Sequence, residues 1–206
     1  METASNLTYG NSYMGLPILP EPEHGSRIDI LEAIRTKMNA MTERHCKVFA
    51  VLIGLNLPWE TGNVPDDRYV EAFMDAFGGH LESRGIDHCC HWVREQGSPD
   101  SQPHWHALML MNGNRTWSFY GRPMETATRL WSETLGVSQG SGLVHRYEWD
   151  EATDPRYPSV RNGGVMLIRN SPDFSQAYRL LFKRASYTCK TQGKSMLALE
   201  IAAPLL

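Results

Sequence analysis

The sequence is poor in cysteine. Cys46, Cys89, Cys90 and Cys189 are the only four in 206 residues, and no Cys-x-x-Cys pair occurs. Neither a disulfide framework nor a cysteine zinc cage is suggested by this spacing. No apolar run approaches the roughly 18–20 residues that span a bilayer. Met1 to Gly25 also lacks the basic start and apolar centre of a secretory signal, so a cytoplasmic protein with no membrane partner is expected. There is no internal repeat, no low-complexity tract and no Gly-x-x-x-x-Gly-Lys phosphate loop, which excludes a repeat array and a fused P-loop helicase. Net charge is small, −3 over the whole chain, which taken alone argues against a nucleic-acid binder.

The distribution of charge argues otherwise. From Arg156 onward there are eight basic residues against Asp173 and Glu200, a local +6, while the preceding 155 residues carry 12 basic and 21 acidic, a local −9. Such asymmetry can make a phosphate-binding surface on an acidic protein, or simply a solvated basic helix. Hydrophobic content of 41% and charged content of 21% fit one globular domain. Residues 1–25, rich in Gly, Pro, Asn and Ser, read as a flexible N-terminal arm, and residues 26–206 as a single domain. Ser26 is placed to cap a first helix whose apolar face is Ile30, Leu31, Ile34, Met38 and Met41. Lys47 to Leu57 reads as a central strand, Asp66 to Gly85 as a helix, and Ile86 to Gln96 as a second strand. Pro123 starts a third helix, Leu143 to Trp149 and Val165 to Arg169 read as strands, and Ser171-Pro172 opens a last helix. This order predicts an α+β domain with a largely antiparallel sheet.

Pro103 to Asn112 organises the chain. His104, Trp105 and His106 precede an apolar run, and Asn112-Gly113-Asn114 supplies a turn. On a strand His104 and His106 share one face and Trp105 takes the other. Two imidazoles so placed can hold one divalent metal, or can be solvated or bonded to neighbours. Glu95 lies at the end of the preceding strand, and a hairpin brings it beside both imidazoles, completing a partial ligand set with open positions. Downstream, Arg184, Tyr187, Lys190 and Lys194 recur at intervals of three and four. If the last helix continues past Ala185, they share a face where cations ease ionisation of the Tyr187 phenol and hold a phosphate. Arg184 and Lys194, with adjacent Lys183, are candidate DNA contacts.

These residues carry a resemblance. His104-Trp105-His106 followed by Tyr187-Thr188-Cys189-Lys190 resembles the HUH endonucleases. More closely, Arg94-Glu95-Gln96, Pro103-His104-Trp105-His106 with Asn112, and Ser186-Tyr187-Thr188-Cys189-Lys190-Thr191 with Lys194 resemble the inovirus-type replication proteins of filamentous phages and of prophage-borne YagK/YfjJ-like proteins. The resemblance runs from about Phe49 to Lys194. It implies a ferredoxin-like or RRM-like core with a central antiparallel sheet flanked by helices. It implies Mg²⁺ or Mn²⁺ at His104, His106 and Glu95, and attack by Tyr187 on a single-stranded DNA phosphate with Lys190 assisting. The activity implied is nicking and joining at the hairpin origin of a rolling-circle element, by a monomer or weak dimer, with helicase and polymerase supplied by the host. Tyr178 lies on the apolar face, so one tyrosine rather than two is expected. A DNA-binding protein of the same descent that does not cut, and a transposase or relaxase of the same chemistry, are the alternatives. A histidine-triad hydrolase would need His where Leu108 stands, and a metallo-β-lactamase-type site would need Asp-His after His106, where Ala107-Leu108 stand.

Overall fold

In the computed structural model, residues 6–59, 66–96, 102–138 and 142–190 are described. The first surprise is the N-terminus. The segment read as a flexible arm forms β1 (Leu7–Thr8), β2 (Ser12–Tyr13) and β3 (Leu16–Pro17), and β4 (Ser26–Arg27) follows. β1 pairs with β4, and β2 with β3. The β2–β3 turn is Met14-Gly15, both at positive φ, the backbone that suits a tight hairpin. Ile18 is buried, Leu19 N–H donates to Ser186 Oγ at 2.8 Å, and Arg179 Nη1 donates to the Gly15 carbonyl at 2.8 Å. This segment has no periodicity because its few apolar side chains are buried by other parts of the chain, not by an element of its own.

α1 (Ile28–Arg44) buries the expected face, Ile30, Leu31, Ile34, Met38 and Met41. Ser26 does not cap it. It lies in β4, Arg27 takes the cap position, and the guanidinium of Arg27 holds Asp29. β5 (Lys47–Asn56) is buried along nearly its whole length, as its unbroken apolar run requires of a central strand. α2 (Arg68–Ser83) ends before Gly85 at φ 66°. β6 (His88–Glu95) and β7 (His104–Asn112) form the long hairpin, and α3 (Arg122–Leu135) follows with Pro123 in its first turn. β8 (Val144–Arg146), β9 (Val160–Arg161), β10 (Gly164–Ile168) and α4 (Phe174–Ala185) complete the chain of elements.

The central sheet has six strands in the order β6-β7-β5-β10-β9, with β8 also paired to β5, and every pair is antiparallel. Within it, β5-α2-β6-β7-α3-β8 with spatial order β8-β5-β7-β6 is a split β-α-β, ferredoxin-like core. The two faces carry separate cores. α1 and α4 cover Val48, Ala50, Leu52, Leu108 and Leu110, and α2 and α3 cover Phe49, Val51, Ile53 and Trp105. Trp105 is fully buried, and its Nε1 donates to Asp67 Oδ1 at 2.7 Å. Among the described residues no helix is long and apolar enough to cross a membrane.

α4 stops at Ala185, short of the expectation that it would carry Tyr187, Lys190 and Lys194 on one continuous face. Ser186–Cys189 form a 3₁₀ turn, and Lys190 is extended. The cause is local: the Ser186 hydroxyl donates to Lys183 O at 2.6 Å and the Thr188 hydroxyl to Ala185 O at 2.8 Å. Side-chain hydroxyls that take helix carbonyls compete with continued α-helix. Lys194 lies outside the described residues.

Candidate active site

The β6–β7 register sets Glu95 directly opposite His104 and Val93 opposite His106. The pleat then turns His104, His106 and Glu95 to the α1/α4 face, while Trp105 enters the other core. His106 Nε2 lies 2.6 Å from Glu95 Oε2, and His104 Nε2 lies 3.8 Å from the same oxygen. One ligand atom from each residue falls within 4.8 Å of the others. Two imidazole nitrogens and a carboxylate oxygen so converged suit a divalent cation of intermediate hardness such as Mn²⁺, or Mg²⁺ with water completing its shell. His106 is buried, with 5% of its side chain accessible, whereas 34% of the His104 side chain is accessible. The set is therefore anchored on the inner side and open on the outer one.

Tyr187 arrives from the 3₁₀ turn after α4. Its ring meets the His106 ring edge-on at 5.3 Å between centroids. The side chains expected from β6, β7 and the last helix are thus brought together. Their electrostatics differ from expectation. Burial first, and Glu95 second, push the Tyr187 phenol above its ordinary value, the opposite of the easing expected from neighbouring cations. Lys190 Nζ lies 5.7 Å from the centre of the Tyr187 ring, but it is paired with Glu21 Oε2 at 3.1 Å. Arg184 is held by Asp150 at 2.7 Å and Glu151 at 2.9 Å, so its charge is engaged within the protein. Much of the C-terminal basic excess is used structurally in the same way: Arg169 caps carbonyls of α1, Arg156 pairs with Asp154, and Arg179 holds Gly15. Lys183 is exposed on α4.

Three residues escaped the sequence reading. Tyr147, just past β8, makes a short hydrogen bond to His106 Nδ1. One tautomer satisfies both ring nitrogens: Nε2–H donates to Glu95, and the Tyr147 hydroxyl donates to Nδ1. With Nε2 given to a cation, the ring proton sits on Nδ1 and the Tyr147 oxygen accepts it. Burial, then the nearness of Tyr187 and Glu95, keep the Tyr147 phenol protonated. His145, on β8, stacks edge-on against Tyr147 at 5.1 Å, and burial followed by His106 lowers its affinity for a proton. Gly54 faces His106 across β5–β7 and His145 across β5–β8. The lone signals available in the sequence were Gly54 inside an apolar strand and the alternation His145, Tyr147, which gives no hint of its partner.

A cleft of about 310 Å³ opens beside this cluster, lined by His106, Tyr147, Tyr187, Leu52, Trp149 and Arg184 among others. Trp149 is 5% exposed, and its Nε1 finds no acceptor among the described residues. A buried donor left unmatched costs about 1–3 kcal/mol, which an entering acceptor would recover.

The profile of the YagK/YfjJ C-terminal domain matches residues 10–198. The chain belongs to the YagK/YfjJ C-terminal domain family. No curated protein and no solved structure matches it. In this YagK/YfjJ-type domain the matched span contains the ordered N-terminal hairpin, the two-histidine strand, Tyr147 and the Tyr187 turn, so the family's span and the clustered residues coincide.

Two consequences can be measured. A Cβ at position 54 would lie 2.1 Å from His145 Cε1. Gly54→Ala must therefore displace the imidazole, and a loss of about 1–3 kcal/mol is expected from such overpacking, read as a lowered urea midpoint at unchanged slope. Tyr147→Phe deletes the hydroxyl that orients His106. Calorimetry should show Mn²⁺ affinity lowered by about 10–100-fold, the usual effect of removing an outer partner of a ligating imidazole. Unchanged affinity would show that Glu95 alone fixes the ring.

Proposed function

We propose that the chain nicks and rejoins single-stranded DNA through a covalent tyrosyl intermediate, at the origin of a rolling-circle element. The observation that carries this reading is the placement of the Tyr187 ring 5.3 Å from that of His106, which itself closes a set with His104 and Glu95. His104, His106 and Glu95 would hold one Mg²⁺ or Mn²⁺. The ion would polarise the scissile phosphate and offset the negative charge that Glu95 sets beside Tyr187. The Tyr187 oxygen forms a bond to phosphorus as the P–O3′ bond breaks, leaving a 5′-phosphotyrosine and a 3′-hydroxyl. The phenol gives up its proton and the departing 3′ oxygen takes one up, so the exchange is proton-neutral, and rejoining is its reverse. The cleft between Tyr147 and Trp149 gives a nucleotide room beside the phosphate. Lys190, beside the ring, supports the phosphate contact.

The experiment is incubation of the chain with labelled single-stranded or hairpin oligonucleotides from its replicon and Mn²⁺, followed by a denaturing gel. A covalent protein–DNA band is expected. A second reading, a DNA-binding protein that does not cut, is favoured by the raised Tyr187 phenol and by the pairing of Arg184 and Lys190 with carboxylates. Binding without any band on several such substrates would select it.

A further inference from the structure

The arginine beside Tyr187 is paired with Asp150 and Glu151, so its charge is largely engaged within the protein. The sheet's opposite face has another source of positive charge. A cavity of about 260 Å³ is floored by Phe77, Leu81, Ile86 and Phe119 and rimmed by Arg84, Arg115, Arg122 and His80, with no carboxylate among its lining residues. All three arginines are exposed, and none has an ion-pair partner among the described residues. Burial first, and then the nearby Arg84 and Arg129, lower the proton affinity of His80.

The segment joining β7 to α3 adds aromatic surface. Trp117 is 61% exposed and Tyr120 is 52% exposed, and both lie between Arg115 and Arg122. This is a built loop. Arg115 and Thr116 N–H groups bond the Asn112 carbonyl, Phe119 N–H bonds Asn162 O at 3.0 Å, and the Phe119 ring packs on Phe77 at 6.2 Å. Its far end meets the candidate centre's own strand, since the guanidinium of Arg146, between His145 and Tyr147 on β8, lies 4.3 Å over the Tyr120 ring. Arginines with no ion-pair partner among the described residues, on the same loop and cavity rim as exposed aromatic rings, are the chemistry that holds single strands, with phosphates on the cations and bases stacked on the rings; Arg146, over Tyr120, is itself paired with Glu148.

We propose that Arg84, Arg115, Arg122 and Trp117 form a second contact site for a single strand of nucleic acid, separate from the tyrosine centre. The site does not depend on Tyr187 acting as a nucleophile. Its test is fluorescence anisotropy of the full chain with a labelled oligothymidylate across a salt series. Arg84→Ala/Arg115→Ala/Arg122→Ala should bind at least about 10-fold more weakly. Its log K against log salt should be shallower by about 2, at roughly 0.7 for each phosphate that the three arginines no longer neutralise. Trp117→Ala should bind about 10-fold more weakly at an unchanged salt slope, because stacking releases no counterions. All four side chains are exposed, so thermal midpoints should match the wild type. Equal affinity and equal slope in the triple variant overturn the proposal. So does thymidine monophosphate competing as well as the oligomer, which would mark a nucleotide pocket instead. If the wild-type chain binds through this site but forms no adduct on any of the origin-like substrates, the tyrosyl chemistry falls and this contact stands.

Discussion

Tyr187→Phe is expected to abolish the covalent protein–DNA adduct, with nicking reduced by on the order of 10⁴-fold or more, as when an enzyme loses its attacking group. The variant keeps the ring that packs against His106 at 5.3 Å and removes only the oxygen. Folding, Mn²⁺ affinity and oligonucleotide affinity should therefore stay near wild type. Peptide mapping of the trapped wild-type adduct decides the atom. The structure sharpens this test, because a second phenol, Tyr147, sits against the same imidazole. A nucleotide remnant on Tyr147 would reassign the nucleophile. Lys190→Ala should slow nicking without preventing it, since Lys190 stands beside the ring at 5.7 Å and already shares its charge with Glu21.

The second large effect is expected at His106. Its imidazole is bonded on both sides, to Glu95 and Tyr147, and lies at the buried end of the ligand set. His106→Ala should lose Mn²⁺ by more than the ~10–100-fold that removal of an outer partner costs. Adduct formation should fall with it. Because a half-buried carboxylate and phenol would lose their partner together, the variant's unfolding midpoint is measured alongside. His104→Ala, at the accessible end of the set, gives the same readout with little structural cost. Mn²⁺ binding with wild-type affinity to both variants would remove the metal site altogether.

The arginines expected to touch DNA show how far local pattern reaches. Arg184 follows a helical spacing that does place it near Tyr187, yet spacing says nothing of Asp150 and Glu151, more than thirty residues away, which hold it. An Arg184→Ala variant should therefore change the salt dependence of DNA binding little. Arg115 and Arg122 give no periodic signal, being loop and first-turn residues. Their prominence comes from sharing one cavity rim with Arg84 and with no carboxylate, which is a matter of place in the fold.

What the sequence by itself determined is what depends on short-range periodicity. The apolar run of β5, the buried face of α1, the antiparallel α+β class and the convergence of Glu95, His104 and His106 all follow from pleat, pitch and a single hairpin. Only the tertiary structure decided the rest. The ordered N-terminal hairpin exists because Ile18 is buried and Leu19 bonds Ser186, 167 positions further on. Tyr147 and His145 reach His106 because β8 pairs with β5 at Gly54, where the missing side chain leaves room for a ring. The phenol of Tyr187 is raised rather than eased because the fold desolvates it in part and sets it beside Glu95, while Glu21, Asp150 and Glu151 arrive from two other segments to engage Lys190 and Arg184. Each of these is a contact between groups far apart in sequence, whose strength depends on distance and burial, and neither quantity is written in the order of the residues.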